Sequence, residues 1–382
     1  VQIALSMALL ISAGLFTRSL FNVSRVDLGL KIDNVVTFAV SPALNGYKPE
    51  QSRALFERLE DELAAVPGVT SVSDALVPLL AGSNWGNDVA VEGFKAGPDT
   101  DVNSRFNEVG PGYFRTIGVP LLSGREFTRD DAQGRPKVVV VNEAFAKKFN
   151  LGRAAVGKWV STNPRAGTLD IEIVGLAENA KYSEVKGRIP PQFFIPRGQG
   201  AGFGYLTFYV RTALKPEQVL RAIPKVVARL DPNLPVEDLR TMPQQVRENV
   251  FLDRLITVLS AAFAGLATLL AAIGLYGVLA YTVAQRTREI GLRMALGAAP
   301  GRVRLMILNH VALMTVAGGV AGLAGGVALG WGAGSILYEL KGWDPGVLAM
   351  AAAALTAVAL GAGFFPALRA SRIDPMQALR YE

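Results

Sequence analysis

Apolar residues along the 382-residue chain follow two regimes. In four stretches, residues 1–17, 255–285, 305–338 and 345–368, no Asp, Glu, Lys or Arg interrupts the run. Elsewhere apolar positions alternate, or recur with helical period, among charged ones. A run of about 18 or more apolar residues can cross the hydrocarbon core as a helix. The last three stretches therefore predict transmembrane helices. Residues 1–17 fall just short, but Ser19, Leu20 and Phe21 lengthen the run, with Arg18 able to reach the interface. The alternative, a secretory signal, would show a basic start and a small-residue cleavage site, and neither is present. The expectation is a first transmembrane helix whose start is cut off.

Between the first two runs the period changes. Residues 34–40 (NVVTFAV) alternate as a strand and meet Ser41-Pro42. Lys48-Pro49-Glu50-Gln51 then opens a helix carrying Leu55, Leu59, Leu63 and Val66, stopped by Pro67-Gly68, and Val69–Leu76 reads as a strand. The same order recurs near the far end. Tyr205–Val210 is extended, Lys215-Pro216-Glu217-Gln218 opens a helix, Asp231-Pro232 stops it, and Val236–Leu239 follows extended. This looks like a split internal repeat whose two ends pack together. Pro at the first helical position followed by Glu is also a common opening in its own right. The middle is strand-rich, at 88–92, 105–109, 137–141, 158–160, 170–175 and 192–195, with short helices at 112–117 and 142–149, and reads as a second mixed subdomain inserted into the first. Thr241-Met-Pro-Gln244 is a capping box. No Gly or Pro cluster follows until the second run ends, so one helix over 242–285 is expected, about 66 Å long at 1.5 Å per residue. That exceeds the roughly 30 Å hydrocarbon core and predicts a rigid stalk outside the membrane.

Charge sets the orientation. The four runs hold 106 residues, so all 71 charged side chains fall on the remaining 276, about 26% of them, an ordinary soluble density. A wholly soluble chain is excluded, and so is a bundle with only short loops. Residues 286–304 carry Arg286, Arg288, Arg293, Arg302 and Arg304 against Glu289 alone, four of the net +7 charges. Arg369, Arg372 and Arg380 face Asp374 and Glu382 after the last run, whereas Glu339, Lys341 and Asp344 give the 339–344 turn a net −1. The positive-inside rule places 286–304 and both termini in the cytoplasm and the large segment outside. The expected boundaries are a first span at 1–21, an extracytoplasmic domain at 22–240, a stalk helix at 241–254, spans at 255–285, 305–338 and 345–368, a cytoplasmic loop at 286–304 and a cytoplasmic tail at 369–382. The fold class is membrane α-helical, four transmembrane helices, with a large extracytoplasmic α/β domain of two subdomains.

Catalytic chemistry finds little support. Zero cysteines and a lone His310 exclude disulfides, thiolate sites and multi-histidine metal sites. The basic balance comes with no basic–aromatic interleaving, so no nucleic acid is expected. Gly152…Gly157-Lys158 matches a phosphate-loop spacing, but Trp159 replaces the required Ser or Thr, and the flanks read helix-then-strand, the wrong order. Asp130-Asp131 and Glu237-Asp238 read as solvated surface. Gly318, Gly322, Gly326, Gly330 and Gly334 recur every four residues in the third run, a face on which another helix backbone can approach closely, with the Ala- and Gly-rich fourth run its expected partner. The spans carry no charged residue, so no ion or proton pathway is indicated. His310 is expected to pack near the membrane interface. Between the second and third runs, Arg286, Glu289 and Arg293 fall at i, i+3 and i+7, while Ile290, Met294 and Leu296 supply apolar contacts. A short amphipathic helix across the cytoplasmic face is expected, ended by Gly297-Ala-Ala-Pro300.

The loop sequence RTREIGLRMALGA (286–298), the glycine-rich span and the tail RASRIDPMQALRYE (369–382) resemble the FtsX-like permease domain of ABC transporters. NVVTFAV, the PEQ-type helix ending in PGV, GYFRTIGVPLLSGREF (112–127) and VVVVNEAFAKKF (138–149) resemble the MacB-like periplasmic core domain. Together they cover essentially the whole chain. The resemblance implies a type VII ABC permease of the bacterial inner membrane, with a porter-like subdomain and a second inserted one outside, working as a dimer with two cytoplasmic ABC ATPase subunits. ATP would act only through that partner, with no cofactor bound by the permease. The loop would be the coupling helix, so Arg286, Arg288, Glu289, Ile290, Gly291, Arg293, Met294, Leu296 and Gly297 are the implied ATPase contacts. Movement would pass through the stalk, and substrate would not cross between the helices. The start inside an apolar run is similar to the C-terminal half of duplicated permeases, leaving a homodimer or pairing with an N-terminal half open. Export or extraction, with a periplasmic adaptor, is the leading expectation. A transenvelope signalling scaffold that activates a cell-wall hydrolase is the alternative, and an orphan sensor without an ATPase is the third.

Overall fold

The computed structural model describes residues 1–131, 134–200, 204–296 and 299–371, so the tail beyond Ser371 and Gly297 lie outside the described residues. The chain divides into an outer unit, Val26–Val250, and a helical unit made of Val1–Arg25 and Phe251 onward. In chain order, α1 (Gln2–Ser24) belongs to the helical unit. The outer unit begins with β1 (Val35–Val40), α2 (Pro49–Ala64) and β2 (Val69–Ala75). Its middle holds β3 (Gly86–Asp88), β4 (Ala90–Val91), β5 (Asn103–Val109), α3 (Tyr113–Ile117), β6 (Leu121–Gly124), β7 (Lys137–Asn142), α4 (Glu143–Lys148), β8 (Trp159–Ser161), β9 (Ile171–Ala177) and β10 (Gln192–Pro196). β11 (Leu206–Thr212), α5 (Pro216–Leu230), β12 (Glu237–Thr241) and α6 (Met242–Asn249) close it. α7 (Phe251–Gln285), α8 (Thr287–Ala295), α9 (Pro300–Gly332) and α10 (Pro345–Ala370) complete the helical unit.

The split repeat is interleaved. The strand order β12-β1-β11-β2 places one strand of each βαβ unit between the two strands of the other, with every neighbouring pair antiparallel. The local sequence explains each helix. In α2, Pro49 sits in the first turn, the Lys48 amide donates to Gln51 Oε1 at 2.9 Å, and Leu55, Leu59 and Leu63 are buried along one face. Gly68, with φ +86, makes the turn into β2 that an L side chain resists. In α5, Val219, Ile223, Val226 and Val227 are buried. Both helices contribute to one core with Val36, Phe38, Phe208 and Val210. The Phe208 ring stacks on Phe38 at 5.3 Å and meets Phe56 at 6.1 Å, so both repeats share one aromatic centre.

The inserted half has its own core, around Val139, Val141, Phe145, Phe149, Ile173 and Phe193. The expected inserted subdomain is present, and one sheet runs through both halves, continuing β2-β5-β10-β7-β9-β8-β4. The join is thin: β2 and β5 share the single pair Ala75↔Val109. The expected strand at 88–92 is two strands with different partners, β3 on β5 and β4 on β8. β6, which pairs with β9, had no counterpart in the sequence reading, since LLSG shows too short an alternation.

Four helices, α1, α7, α9 and α10, are long and apolar enough to cross a membrane. The expected unbroken helix over 242–285 is divided at Val250, with φ −101° and ψ 13°. The capping box at Thr241 is present, its hydroxyl accepting from the Gln244 amide at 3.3 Å. α6 nonetheless closes at Asn249, whose side-chain amide donates to the Leu80 and Ser183 carbonyls at 3.0 Å each and accepts from the Val185 amide. Those bonds fix the end of α6 on the outer domain's own loops. The third apolar run stops being helical at Gly332, six residues before the charge-free stretch ends.

Phe208→Ala removes a fully buried ring from the centre shared by both repeats. It is expected to cost about 3–5 kcal/mol of outer-domain stability, read by chemical denaturation, and a loss below about 1 kcal/mol would show that the repeats do not depend on one core.

Candidate functional site

The elbow is built where α7 ends. Backbone helix geometry breaks at Arg286, and the Thr287 hydroxyl donates to the Val283 carbonyl at 3.0 Å as α8 begins. Of the residues predicted there, Ile290 is 2% exposed and sits in a core with Leu275, Leu279, Val303, Ile307, Val311, Ala359, Ala367 and Ala370. Met294, one turn on, packs on the same core. Arg286, Arg288, Glu289, Leu292 and Arg293 are exposed. Leu296, expected to share the apolar face, is 80% exposed instead, since it lies a half-turn from Met294 at the end of α8. Arg293 donates to Glu289 Oε1 at 2.5 Å and to the Met306 sulfur on α9 at 3.0 Å. α8 therefore has an anchored face and an exposed charged face. The backbone of Gly291 lies within α8. A cavity of about 110 Å³, lined by Leu279, Thr282, Val283, Arg286, Ile290, Met306 and Ile307, lies under the elbow.

The glycine face has a partner other than the one expected. A Cβ on Gly318 would stand 2.8 Å from Ile3 Cβ, one on Gly322 would meet Ala4 O and Met7 Cβ at 2.5 Å, and one on Gly326 would meet Ile11 Cδ1 at 2.5 Å. The stripe thus receives α1, not α10. Ile3, Met7 and Ile11 share the fourfold spacing, so each large side chain of α1 enters a gap opened by a glycine of α9. Gly330 lies against the backbone of Gly342, and Gly334 lies past the helix end, near only its own turn. The contact order also fixes direction: α1 and α9 run parallel, while Ser6 Oγ donates to Ala267 O at 2.7 Å and Thr257 Oγ1 to Phe16 O at 3.2 Å, so α7 runs antiparallel to α1. α10 meets α1 antiparallel, with Asp344 bonded to Arg18 at 2.5 Å and Val347 against Gly14. His310 lies within α9.

The set-aside motifs resolve locally. Gly152–Ala154 forms a short 3-10 turn and Trp159 starts a strand, the reverse of a phosphate loop. Lys158 bonds Glu92 at 2.8 Å, and that bond holds the Glu92 carboxyl below the usual range. Glu237 accepts from the Ser41 hydroxyl at 3.1 Å and Asp238 pairs with Arg240. Asp131 corrects its reading as solvated surface. It is 8% exposed, because Arg125 reaches both its oxygens at 2.7 and 2.8 Å and the Thr128 amide donates to it at 2.9 Å. Burial pushes its carboxyl up, and those bonds outweigh it and leave it below its ordinary value.

A cluster absent from the sequence reading sits at the thin join of the sheet. Asp74 on β2, Glu60 on α2 and Glu108 on β5 are all buried. Arg197, just past β10, bonds Asp74 and reaches Glu60 at 3.3 Å. Burial pushes the Asp74 and Glu60 carboxyls up, with Arg197 pulling each back. The available signal was an acid inside a strand on each side, in SVSDAL and RFNEV. Among the described residues no group of three or more His, Cys, Asp or Glu is arranged to hold a metal ion.

The family described as the MacB-like periplasmic core domain matches residues 2–241, and the FtsX-like permease C-terminal family matches residues 261–375. The uncharacterized ABC transporter permease YknZ of Bacillus subtilis is 24% identical over 297 residues, covering 74% of this chain and 72% of that protein. The macrolide export ATP-binding/permease protein MacB of Chromobacterium violaceum is 27% identical over 357 residues, 82% of this chain and 53% of that protein. The pyoverdine export ATP-binding/permease protein PvdT of Pseudomonas aeruginosa is 26% identical over 352 residues, 88% of this chain and 50% of that protein. The chain thus spans about half the length of these two export proteins. The periplasmic region of MacB from Actinobacillus actinomycetemcomitans covers 61% of this chain at 17% identity with a TM-score of 0.38, the match taking in 98% of that structure.

Gly322→Val drives two methyl groups into the Ala4 carbonyl and Met7. It is expected to destabilise the helical unit by about 1–3 kcal/mol. Gly325→Ala, where a Cβ meets nothing within 4 Å, should stay within about 0.5 kcal/mol of the parent. Thermal unfolding in detergent compares them, and equal effects would remove α1 from the glycine face.

Proposed function

The chain belongs to the ABC permease family that joins a MacB-like periplasmic core domain to an FtsX-like permease C-terminal domain, and on that premise we propose that it is a mechanical transmitter. In this reading, ATP-driven movement of a separate cytoplasmic ATPase pushes α8, and the push does work in the outer domain on the periplasmic side. Export or extraction of substrate is the work proposed. The observation that carries it is the two-sided build of α8. Ile290 and Met294 lock one face into a core contributed by α7, α9 and α10, while the charged face is left exposed for a partner. A helix tethered only by charge at a lipid surface would not need Ile290 buried. Displacement of α8 must displace the helices that hold it, because close-packed cores shift as units rather than deform continuously.

The remaining assignments follow from the same reading. Arg286, Arg288, Glu289, Arg293 and Leu296 form the ATPase contact, with Gly291 and Gly297 among its backbone positions. ATP binds the partner and not this chain. Residues 286–304 and both ends lie in the cytoplasm, which agrees with α1 and α9 running one way and α7 and α10 the other. The four spans carry no charge apart from Arg18 near the end of α1, so the proposed substrate path avoids the space between them. A second copy or another permease half completes the assembly, and a periplasmic adaptor joins it where substrate must be handed on.

Surface ion pairs contribute about 0–1 kcal/mol, so changing Glu289 or Arg293 should leave α8 folded while altering what it presents. Glu289→Lys and Arg293→Glu are each expected to cut recovery of a co-expressed ABC ATPase on the purified chain by about tenfold, the loss of roughly 1.4 kcal/mol. The double exchange Glu289→Arg with Arg293→Glu keeps an ion pair within α8 but reverses its pattern, and should not restore binding. Undiminished recovery in both single variants would remove the docking assignment, and rescue by the double exchange would show that the pair only supports the helix.

A further inference from the structure

The outer domain's two halves meet where the sheet is thinnest, and that seam is held by side chains. The single strand pair is made by two backbone bonds, from the Leu76 amide to the Glu108 carbonyl at 2.8 Å and from the Gly110 amide to the Asp74 carbonyl at 2.9 Å. The Asn107 side chain bonds the Val77 amide and carbonyl, both at 2.9 Å. Arg197, from the inserted half, crosses to Asp74 and Glu60 of the first half. Three carboxyls therefore converge on one buried guanidinium. Glu108 is the one without a share: it is 2% exposed, and its Oε2 has no hydrogen-bond partner among the described residues. Gly200 lies against that carboxyl and Gly110 against the Asp74 carboxyl, each so close that a Cβ would collide. An unpaired carboxylate enclosed this way is far less stable than the neutral acid.

We propose that Glu108 is a proton-operated latch on this seam. Neutral, it lets β2 and β5 close over the Asp74–Arg197 pair; ionised, it sets a third carboxylate against one guanidinium and loosens the two halves. The charged groups that face it are Asp74 from β2, Arg53 from α2 and Arg197 from beyond β10, with Glu60, Glu57 and Arg129 further out in the same cluster, around Arg197 and Asp74. Burial and then the like charge of Asp74 raise the Glu108 carboxyl to about 8, against smaller opposing pulls from Arg197 and Arg53. The sign follows from linkage. An open seam returns Glu108 to its ordinary value of 4.5, so the closed state holds the extra proton between there and about 8. Closure is fully favoured below the lower value, weakens as pH rises, and levels off above about 8. A domain exposed to the external medium would thereby loosen in alkaline surroundings and tighten in acid ones.

Amide hydrogen exchange on the purified full chain in detergent, from pH 5 to 9, tests this without reference to any transport activity. Protection factors in 74–77 and 106–110 should fall more steeply in the parent than in Glu108→Gln, by about tenfold per pH unit up to about 8, and the difference should stop growing above it. Asp74→Asn, which keeps Glu108 but removes its nearest like charge, should move the levelling point to lower pH. Strands β7 and β9, inside the inserted half, should show neither difference. Matching pH profiles for the parent and Glu108→Gln would overturn the proposal. So would an Asp74→Asn profile that levels off at the parent's pH, which decides the matter if the glutamine variant does not fold. Equal change in β7 and β9 would also overturn it, by showing general unfolding instead of seam opening.

Discussion

Apolar helices gain nothing by leaving lipid tails for one another, so a bundle in hydrocarbon depends on how closely backbones can approach. The contact between α1 and the glycines of α9 is where this chain meets that constraint. Ile3, Met7 and Ile11 enter gaps that any side chain at 318, 322 or 326 would close. With α1 seated, its remaining sides bind the other two long helices through a hydroxyl on a carbonyl, at Ser6 and Ala267, and an ion pair, at Arg18 and Asp344. α1 is accordingly the most enclosed of the four. The core that receives Ile290 lies where α7, α9 and α10 meet, so the placement of α8 also rests on how these helices are held together.

In the outer domain the comparable constraint is topological. Because β1 lies between β12 and β11, and β11 between β1 and β2, neither βαβ unit can bury its helix without the other. The 130 residues from 76 to 205 separate the two units, and the inserted half occupies that gap with a core of its own. The insertion leaves the first half's packing intact but gives up strand pairing at the join, where one residue pair and a set of side-chain bonds replace a ladder. Such a join has few ways of slipping register and little resistance to opening, which distinguishes it from the six-pair ladder between β1 and β11.

Much of this was readable from residue patterns, and the failures share a cause. Helices α2 and α5 were legible because Leu55, Leu59 and Leu63, or Val219, Ile223 and Val226, repeat at helical spacing after a proline start. The four long helices were legible because absence of charge over a span length has one common explanation. Periodicity describes a segment's own faces and says nothing about which neighbour covers them. That is why the glycine stripe was paired with the Ala-rich fourth run when Ile3, Met7 and Ile11 were its knobs. It is also why the sequence alone reads Asp131 as surface: the two bonds from Arg125 that bury it are a matter of turn geometry. The helix break at Val250 had no Gly or Pro to mark it and follows instead from Asn249 bonding to loops 169 and 66 residues away. At the elbow, the sequence grouped Ile290 and Met294 with the arginines as contacts for a partner, and could show neither that α7, α9 and α10 cover these two nor that Leu296 falls outside their face.

The placement of charge draws these parts together. Burying charges costs several kcal/mol per ion, and a buried pair often contributes no more than well-packed apolar side chains of the same volume would. A chain that keeps 106 residues free of charge shows that apolar packing is available to it. Retaining Asp74, Glu60, Glu108 and Arg197 in the interior of the outer domain therefore needs a reason other than stability. Specificity is one: a guanidinium just past β10 that must find Asp74 and Glu60 admits one arrangement of the two halves, where an apolar seam would admit several. That argument accounts for the acids that Arg197 reaches and not for Glu108, whose Oε2 bonds nothing among the described residues. Glutamine or an apolar residue would fill its place at lower cost on every count except one, the ability to change charge. The unpaired acid at the weakest point of the sheet is thus better explained by what its proton does than by what its side chain holds.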